Sequence, residues 1–218
     1  MVSIGDMEFR LRSRGIVPQE SLGTCTIIGV GAIGSQVAIG LARLGVPHIV
    51  LVDFDTVDDV NIGIQGFNRD EIDSPKVEAI RKRIEAIDKE ITVSTYEEKY
   101  NPLHLVGTVF SCVDSIKVRR RIVEGCSKEN LPYIDCRMSS QSFQVYTARD
   151  PGERILYSKS LFPSIEAYRE GCTSRGTIYC AMICAGYAIA AYKGIRLGEE
   201  VPLRFNGDVL NFDTWEGE

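Results

Sequence analysis

Two nearly continuous apolar runs, Thr24 to Val30 and His48 to Asp53, flank a stretch from Ala32 to Leu44 that reads as a helix. The succession predicts a βαβ unit, and strands that are apolar without alternation predict a parallel sheet covered on both faces. Ser74 to Asp88 opens on Ser-Pro and carries Val77, Ile80, Ile84 and Ile87 at helical spacing. Ile91 to Tyr96 alternates as a strand, Thr108 to Val113 reads as a buried one, Ser115 to about Cys126 as a helix, and Pro132 to Cys136 as a further strand. This alternation predicts an α/β fold, doubly wound and Rossmann-like, with a mostly parallel sheet.

The rhythm changes after Cys136. Ser142 to Arg149 reads as an antiparallel strand, so the sheet is expected to carry an antiparallel C-terminal extension. The segment 150–174 is long, polar and interrupted by Gly and Pro, which predicts a functional or mobile crossover loop. Thr177 to Tyr192 is the most apolar run; it is short of the ~20 residues of a membrane span and contains Gly186, so it reads as a buried core helix, with no membrane partner expected.

A length of 218 residues with 44% hydrophobic residues supports one domain, residues 1–218. A net charge of -5 argues against a general nucleic-acid binder, which needs a basic surface. Met1 to Gly15 has no apolar stretch of signal-peptide length, so a cytoplasmic location is expected. The 7 cysteines are an odd set without the spacing of a disulfide framework, and read as reduced thiols. Cys25, Cys112, Cys180 and Cys184 lie in apolar runs, where cysteine acts as a small hydrophobe.

Gly29-Val-Gly31-Ala-Ile-Gly34 follows a predicted strand and opens a predicted helix. That context suits a phosphate turn, with backbone N–H groups and a helix N-terminus facing an anion. Asp53 ends the second strand, where a ribose-binding carboxylate belongs. A nicotinamide-dependent dehydrogenase would account for Asp53 and the glycines, but would leave Asp55, Asn61, Gln65, Lys76 and Asp114 as ordinary surface residues. No Gly-x-x-x-x-Gly-Lys-Ser/Thr segment is present, which excludes a standard P-loop.

Taken in order, Gly29, Gly31 and Gly34, Asp53-Phe-Asp55, Asn61-Ile-Gly-Ile64-Gln65, Lys76 in Ser-Pro-Lys and Asp114 in Cys-Val-Asp-Ser closely resemble the ThiF/MoeB/HesA family. Its members are adenylating enzymes related to the ubiquitin activators. Cys172 in Glu-Gly-Cys-Thr, the apolar helix and Leu210-Asn-Phe-Asp213 extend the likeness more weakly, so that it covers most of the chain. The resemblance implies ATP-dependent adenylation of the C-terminal carboxylate of a small ubiquitin-like or sulfur-carrier protein, with release of pyrophosphate, by a homodimer. It implies that Asp53 binds ribose, that Asn61 and Gln65 make polar contacts around the nucleotide, and that Lys76 neutralises phosphate charge. Asp114 would position Mg²⁺, and Ala32 would offer its backbone N–H. Asp55 has either a direct role or that of a turn cap.

The chain also departs from the family pattern. The arginine before Gln is Ile64 here, which leaves either a substitute cation or an altered catalyst, including a nucleotide- or carrier-binding scaffold subunit. Arg10 or Arg12 would be the substitute if an N-terminal arginine reaches the neighbouring subunit's site; otherwise they form a solvated basic turn. The asparagine after the fourth-strand Asp is Ser115, and Arg119 lies one helical turn further on as a supporting residue. Cys180 and Cys184 lack Cys-x-x-Cys spacing, so no structural zinc is expected. Cys172 sits between Arg169 and Arg175, cations that favour a thiolate, and corresponds to a position where some family members link covalently to the carrier; the alternative is a plain loop cysteine.

Overall fold

The computed structural model describes residues 10–161 and 176–217. The apolar runs become an 8-stranded sheet in the order β3-β2-β1-β4-β5-β6-β7-β8. Its strands are β1 (Cys25–Ile28), β2 (His48–Val52), β3 (Thr92–Tyr96), β4 (Thr108–Ser111), β5 (Tyr133–Ser139), β6 (Ser142–Ala148), β7 (Arg204–Asp208) and β8 (Asp213–Glu216). The strands from β1 to β5 pair in parallel, and those from β5 to β8 pair antiparallel. The expected doubly wound sheet with an antiparallel extension is therefore the observed one.

Helices α1 (Ala32–Leu44), α2 (Lys76–Ile87) and α5 (Ile178–Leu197) contribute to one apolar layer; α3 (Ile116–Glu129) and α4 (Pro151–Lys159) contribute to the other. Val77, Ile80 and Ile84 are fully buried in the first layer, as their spacing requires. Helix α1 stops at Gly45, whose φ of +102° closes the last turn through N–H bonds to the carbonyls of Leu41 and Ala42. Gly198 and Asn130 end α5 and α3 in the same left-handed conformation.

The polar segment 150–174 is not loop from its start. Asp150 caps α4 by accepting from the Glu153 N–H, and Pro151 takes the first helical position, where its missing donor costs nothing. Arg154 is buried beneath this helix, donating to the Leu131 carbonyl and to Asn130. Cys25, Cys180 and Cys184 are fully buried, and Cys112 packs against the same core. Burial pushes the Cys25 thiol up to about 12, which suits a structural role.

A buried ion cluster joins β5 to the second layer. The Asp135 carboxylate is fully buried and is flanked by Arg119 from α3 and Arg137 from β5, with the Tyr133 hydroxyl 3.3 Å away. Arg119 also donates twice, at 3.1 Å, to the Cys136 carbonyl. Arg137 lies over the Tyr146 ring at 4.3 Å. Burial raises the Asp135 pKa, but the two guanidinium charges outweigh it and hold the carboxyl below its usual range. Asp135, set in the apolar start of β5, was the available sequence signal for this cluster, since carboxylates are seldom fully buried unless paired.

Candidate nucleotide site

The strand order reverses between β1 and β4, and in open α/β sheets ligands bind beyond the carboxyl ends of strands at such a switch point. The glycine turn lies there. Gly29 has φ +86°, and a Cβ on it would come within 2.8 Å of the Cys112 carbonyl oxygen. A Cβ on Gly34 would collide with the Gly29 carbonyl. These two glycines are therefore required by the fold itself.

Gly31 is different, because a Cβ there would meet no atom within 4 Å, and φ is −86°. Packing among the described residues does not require glycine, and the bare Cα leaves room for close approach of a ligand. As N-cap of α1 it offers no capping side chain, so the first N–H groups of the helix, beginning with Ala32, face the open turn.

Asp53 locks the turn from the end of β2. It is 8% exposed, and its carboxylate accepts from the Val30 N–H at 2.6 Å and from the Asp55 N–H at 2.9 Å. Burial pushes its pKa up, more than the two amides and Lys76 pull it down. An acid raised in this way favours the fold at low pH and loses that advantage as pH rises through its folded pKa, so ionised Asp53 is held at a cost at neutral pH. A ligand hydroxyl donating to a remaining lone pair would offset part of that cost.

Asp55 and Lys76 are brought together by backbone pairing. Thr56 and Pro75 form an antiparallel bridge, Lys76 N–H donates to the Asp55 carbonyl and Val57 N–H to the Ser74 carbonyl. Lys76 becomes the first residue of α2, only 5% exposed, and its Nζ donates to Asp55 Oδ2 at 3.0 Å. Asp55 is thus more than a turn cap, since it holds the lysine's ammonium at the edge of the site.

Asn61 sits in a short 3-10 turn, Asp59–Asn61, and its Oδ1 accepts from the Asp58 N–H at 3.2 Å, while its carbonyl accepts from the Gln65 N–H at 2.8 Å. Among the described residues the buried Gln65 Oε1 has no hydrogen-bond partner, and an orphaned acceptor of this kind calls for a donor. Ile64 is half-buried beside it. The same loop carries Arg69, exposed and only loosely paired with Asp59 at 3.9 Å. Arg83 also reaches the loop, but its guanidinium is engaged by Glu71 and the Gly66 carbonyl.

Asp114 is exposed on the loop between β4 and α3, and Ser115 caps α3 by accepting from the Val118 N–H at 3.4 Å. Cys112 N–H donates to the Ile28 carbonyl, so this loop abuts the glycine turn. Arg119 turns away to Asp135 and the Cys136 carbonyl, and so supports β5 rather than Asp114. Arg10 lies by the C-terminal ends of α1 and α2, opposite the glycine turn. It donates to Asp88 at 2.7 Å and to the Ala42 carbonyl at 3.1 Å. Burial raises the Asp88 pKa, but the Glu90 amide and Arg10 more than reverse it and hold the acid low. Arg12 is exposed, and Cys172 lies outside the described residues.

The family model for the ThiF family matches residues 19–218. The chain belongs to the ThiF family. Within it, the chain is 26% identical to the sulfur carrier protein ThiS adenylyltransferase of Escherichia coli K12, covering 86% of this chain and 76% of that one. It is 28% identical to the molybdopterin-synthase adenylyltransferase of Haemophilus influenzae, covering 65% and 64%. The ubiquitin-like modifier-activating enzyme 5 of Culex quinquefasciatus is 27% identical over 61% of this chain, which spans 38% of that relative's length. Among solved structures, PaaA superposes with a TM-score of 0.81 at 20% identity, covering 100% of this chain and 74% of that one, a likeness of fold.

Proposed function

We propose that this ThiF-family chain binds ATP and adenylates the C-terminal carboxylate of a small ubiquitin-like or sulfur-carrier protein, working as a homodimer. The observation that carries the proposal is the open cradle at Gly31, facing the N-terminus of α1, with the buried Lys76 ammonium nearby in the same site. Phosphates would occupy the cradle, and Asp53 would accept from ribose hydroxyls. The orphaned Gln65 Oε1 would take a donor from the nucleotide, Asn61 would add a polar contact, and Lys76 would neutralise phosphate charge. In the reaction the carrier carboxylate oxygen forms a bond to the α-phosphorus, the bond from that phosphorus to its bridging oxygen breaks, and pyrophosphate leaves with the electron pair.

Asp114, on the loop that abuts the glycine turn, would position a magnesium ion on the phosphates, and Ser115 beside it would add a polar contact. No group of three or more His, Cys, Asp or Glu is arranged to hold a metal among the described residues, but Mg²⁺ typically takes one or two carboxylates and completes its shell with phosphate and water. Asp114 alone on an exposed loop fits that habit. The ion would screen the charge of the triphosphate as the anionic nucleophile approaches.

Exchange of radiolabelled pyrophosphate into ATP in the presence of candidate carriers tests the proposal. The expected result is carrier-dependent exchange that Asp114→Ala abolishes and Cys172→Ser spares, because adenylation precedes any transfer to a thiol. Absence of exchange with every carrier, together with absence of ATP binding, would overturn it. A second reading rests on Ile64: if ATP binds without exchange, the chain is a nucleotide- or carrier-binding subunit. Arg69, in the same loop, is the substitute cation to test, together with Arg12 acting across a dimer.

Gly31→Ala isolates the cradle from the fold. Since the added Cβ meets no atom of the described residues, the variant should still fold, with its stability read by urea titration beside the binding measurement. ATP affinity, measured by titration calorimetry, should fall about tenfold or more, equivalent to about 1.4 kcal/mol. Unchanged affinity would remove the phosphates from this turn.

A further inference from the structure

Three thiols that the proposed chemistry does not use form a row from the glycine turn to α5. The β4–β5 register pairs Ser111 with Asp135, so Cys112, one residue past β4, neighbours Cys136 on β5. A Cβ on Gly34 of α1 would lie 3.3 Å from the Cys112 Cβ, and the Cys184 thiol of α5 donates to the Arg137 carbonyl at 3.9 Å. All three pack in the apolar layer of α1 and α5, and the Cys136 side chain hydrogen-bonds to both Cys112 and Cys184. Each is a free thiol.

A thiol in apolar surroundings keeps its proton and is inert, as at Cys25. Cys136 differs, because hydrogen bonds to Cys112 and then to Cys184, helped by the Arg119 charge, outweigh burial and the Asp135 carboxylate and hold its thiol below the usual range. We infer that Cys112 and Cys136 form an oxidation site, which peroxide closes into a disulfide that disturbs the glycine turn. Adjacent strands stand ~4.8 Å apart, within the ~4.4–6.8 Å between the Cα atoms of a disulfide, but its Cβ atoms lie only ~3.5–4.5 Å apart. Closing the bond therefore draws the two residues together. Cys112 lies beyond the last paired residue of β4, so the shift falls on it rather than on the ladder. Its carbonyl is the atom that a Cβ on Gly29 would meet at 2.8 Å, and its Cβ lies under Gly34, so the shift passes to both glycines that the fold requires.

Hydrogen peroxide supplies the oxidising equivalents. It is small enough to enter beside Cys112, which is only partly buried, whereas Cys136 and Cys184 are 0% exposed. The Cys136 thiolate attacks one peroxide oxygen, the O–O bond breaks, and hydroxide leaves with the electron pair, which makes Cys136 a sulfenic acid. The Cys112 sulfur then attacks the Cys136 sulfur. The S–S bond forms, the S–O bond breaks, and the hydroxyl departs as water with the Cys112 proton. The two sulfurs together lose two electrons, and peroxide is reduced to water and hydroxide. Cys184 stays a thiol. The effect on the turn rests on the ATP binding of the proposed function, but the bond itself is read by mass, so the two succeed or fail separately.

Peptide mapping by mass spectrometry of the peroxide-treated parent chain should find Cys112 joined to Cys136 with two hydrogens lost, and dithiothreitol should restore both thiols. Cys172→Ser should form the same link. In that background, ATP affinity measured by calorimetry should fall about tenfold on oxidation, a usual size for coupling between two sites, and should recover with dithiothreitol. Adding Cys136→Ala should make ATP affinity indifferent to peroxide. No link at peroxide doses that oxidise Met182, which is 55% exposed, would overturn the inference. So would a bond between Cys136 and Cys184 in its place. A Cys112–Cys136 link that leaves ATP affinity unchanged would overturn its effect on the turn, whereas a reduced chain that binds no ATP would count against the proposed function and leave the oxidation site to the mass measurement.

Discussion

Lys76→Ala should lower the rate of carrier-dependent pyrophosphate exchange by about 10² to 10³, the usual cost of removing one group aimed at transition-state charge. Lys76 is 5% exposed and its ammonium is held 3.0 Å from Asp55, which fixes its position before nucleotide arrives. Loss of the ion pair itself should cost little stability, about 1 kcal/mol at most, because the Asp55 side chain left behind is 49% exposed and is solvated by water. Exchange kinetics and a urea titration on the same preparation separate the two effects. Exchange within a few-fold of the parent would remove Lys76 from the chemistry, whereas a collapse of stability would make its role structural.

Asp135→Asn should have the opposite signature. The amide is nearly isosteric, but Arg119 and Arg137 would remain packed around a neutral group, and breaking a buried pair in this way costs about 3 to 5 kcal/mol. Because the two guanidiniums hold the Asp135 carboxyl below its usual range, its contribution is present above the unfolded pKa of about 3.9 and is lost as pH falls through the lower folded value. The gap between parent and variant in urea midpoint should therefore be widest at neutral pH and narrow in acid. A gap independent of pH would mean that shape, not charge, holds this part of β5.

Strands β1, β2, β4 and β5 were legible in the chain because burial on both faces of a parallel sheet leaves uninterrupted apolar runs, β3 because it alternates, and helix α2 because it repeats at Val77, Ile80 and Ile84. Helix α4 was not legible, since its N-terminal signal, Asp150-Pro151, lies inside a polar segment and its buried anchor is Arg154, a residue type that reads as surface. Strands β7 and β8 are short, and every residue of β8 is exposed, so no apolar pattern marks it. The outer face of α5 was hidden for a different reason: an apolar run shows that a helix buries much of its surface, but not which side meets the core.

The sequence by itself singled out the candidate site residues, because those from Gly29 to Asp114 follow the order of the motifs by which the chain resembles its family. Spacing alone placed the glycines at a helix start and Asp53 at a strand end. Only the tertiary structure decided what each group does within the fold. Gly29 and Gly34 answer to backbone contacts while Gly31 answers to open space, Asp55 orients Lys76, Arg119 serves Asp135, and Arg10 is bound at the opposite end of the sheet. The reason is physical: residue order carries local conformation and hydrophobic period, whereas a charge's partner and a glycine's necessity depend on atoms brought close from distant parts of the chain.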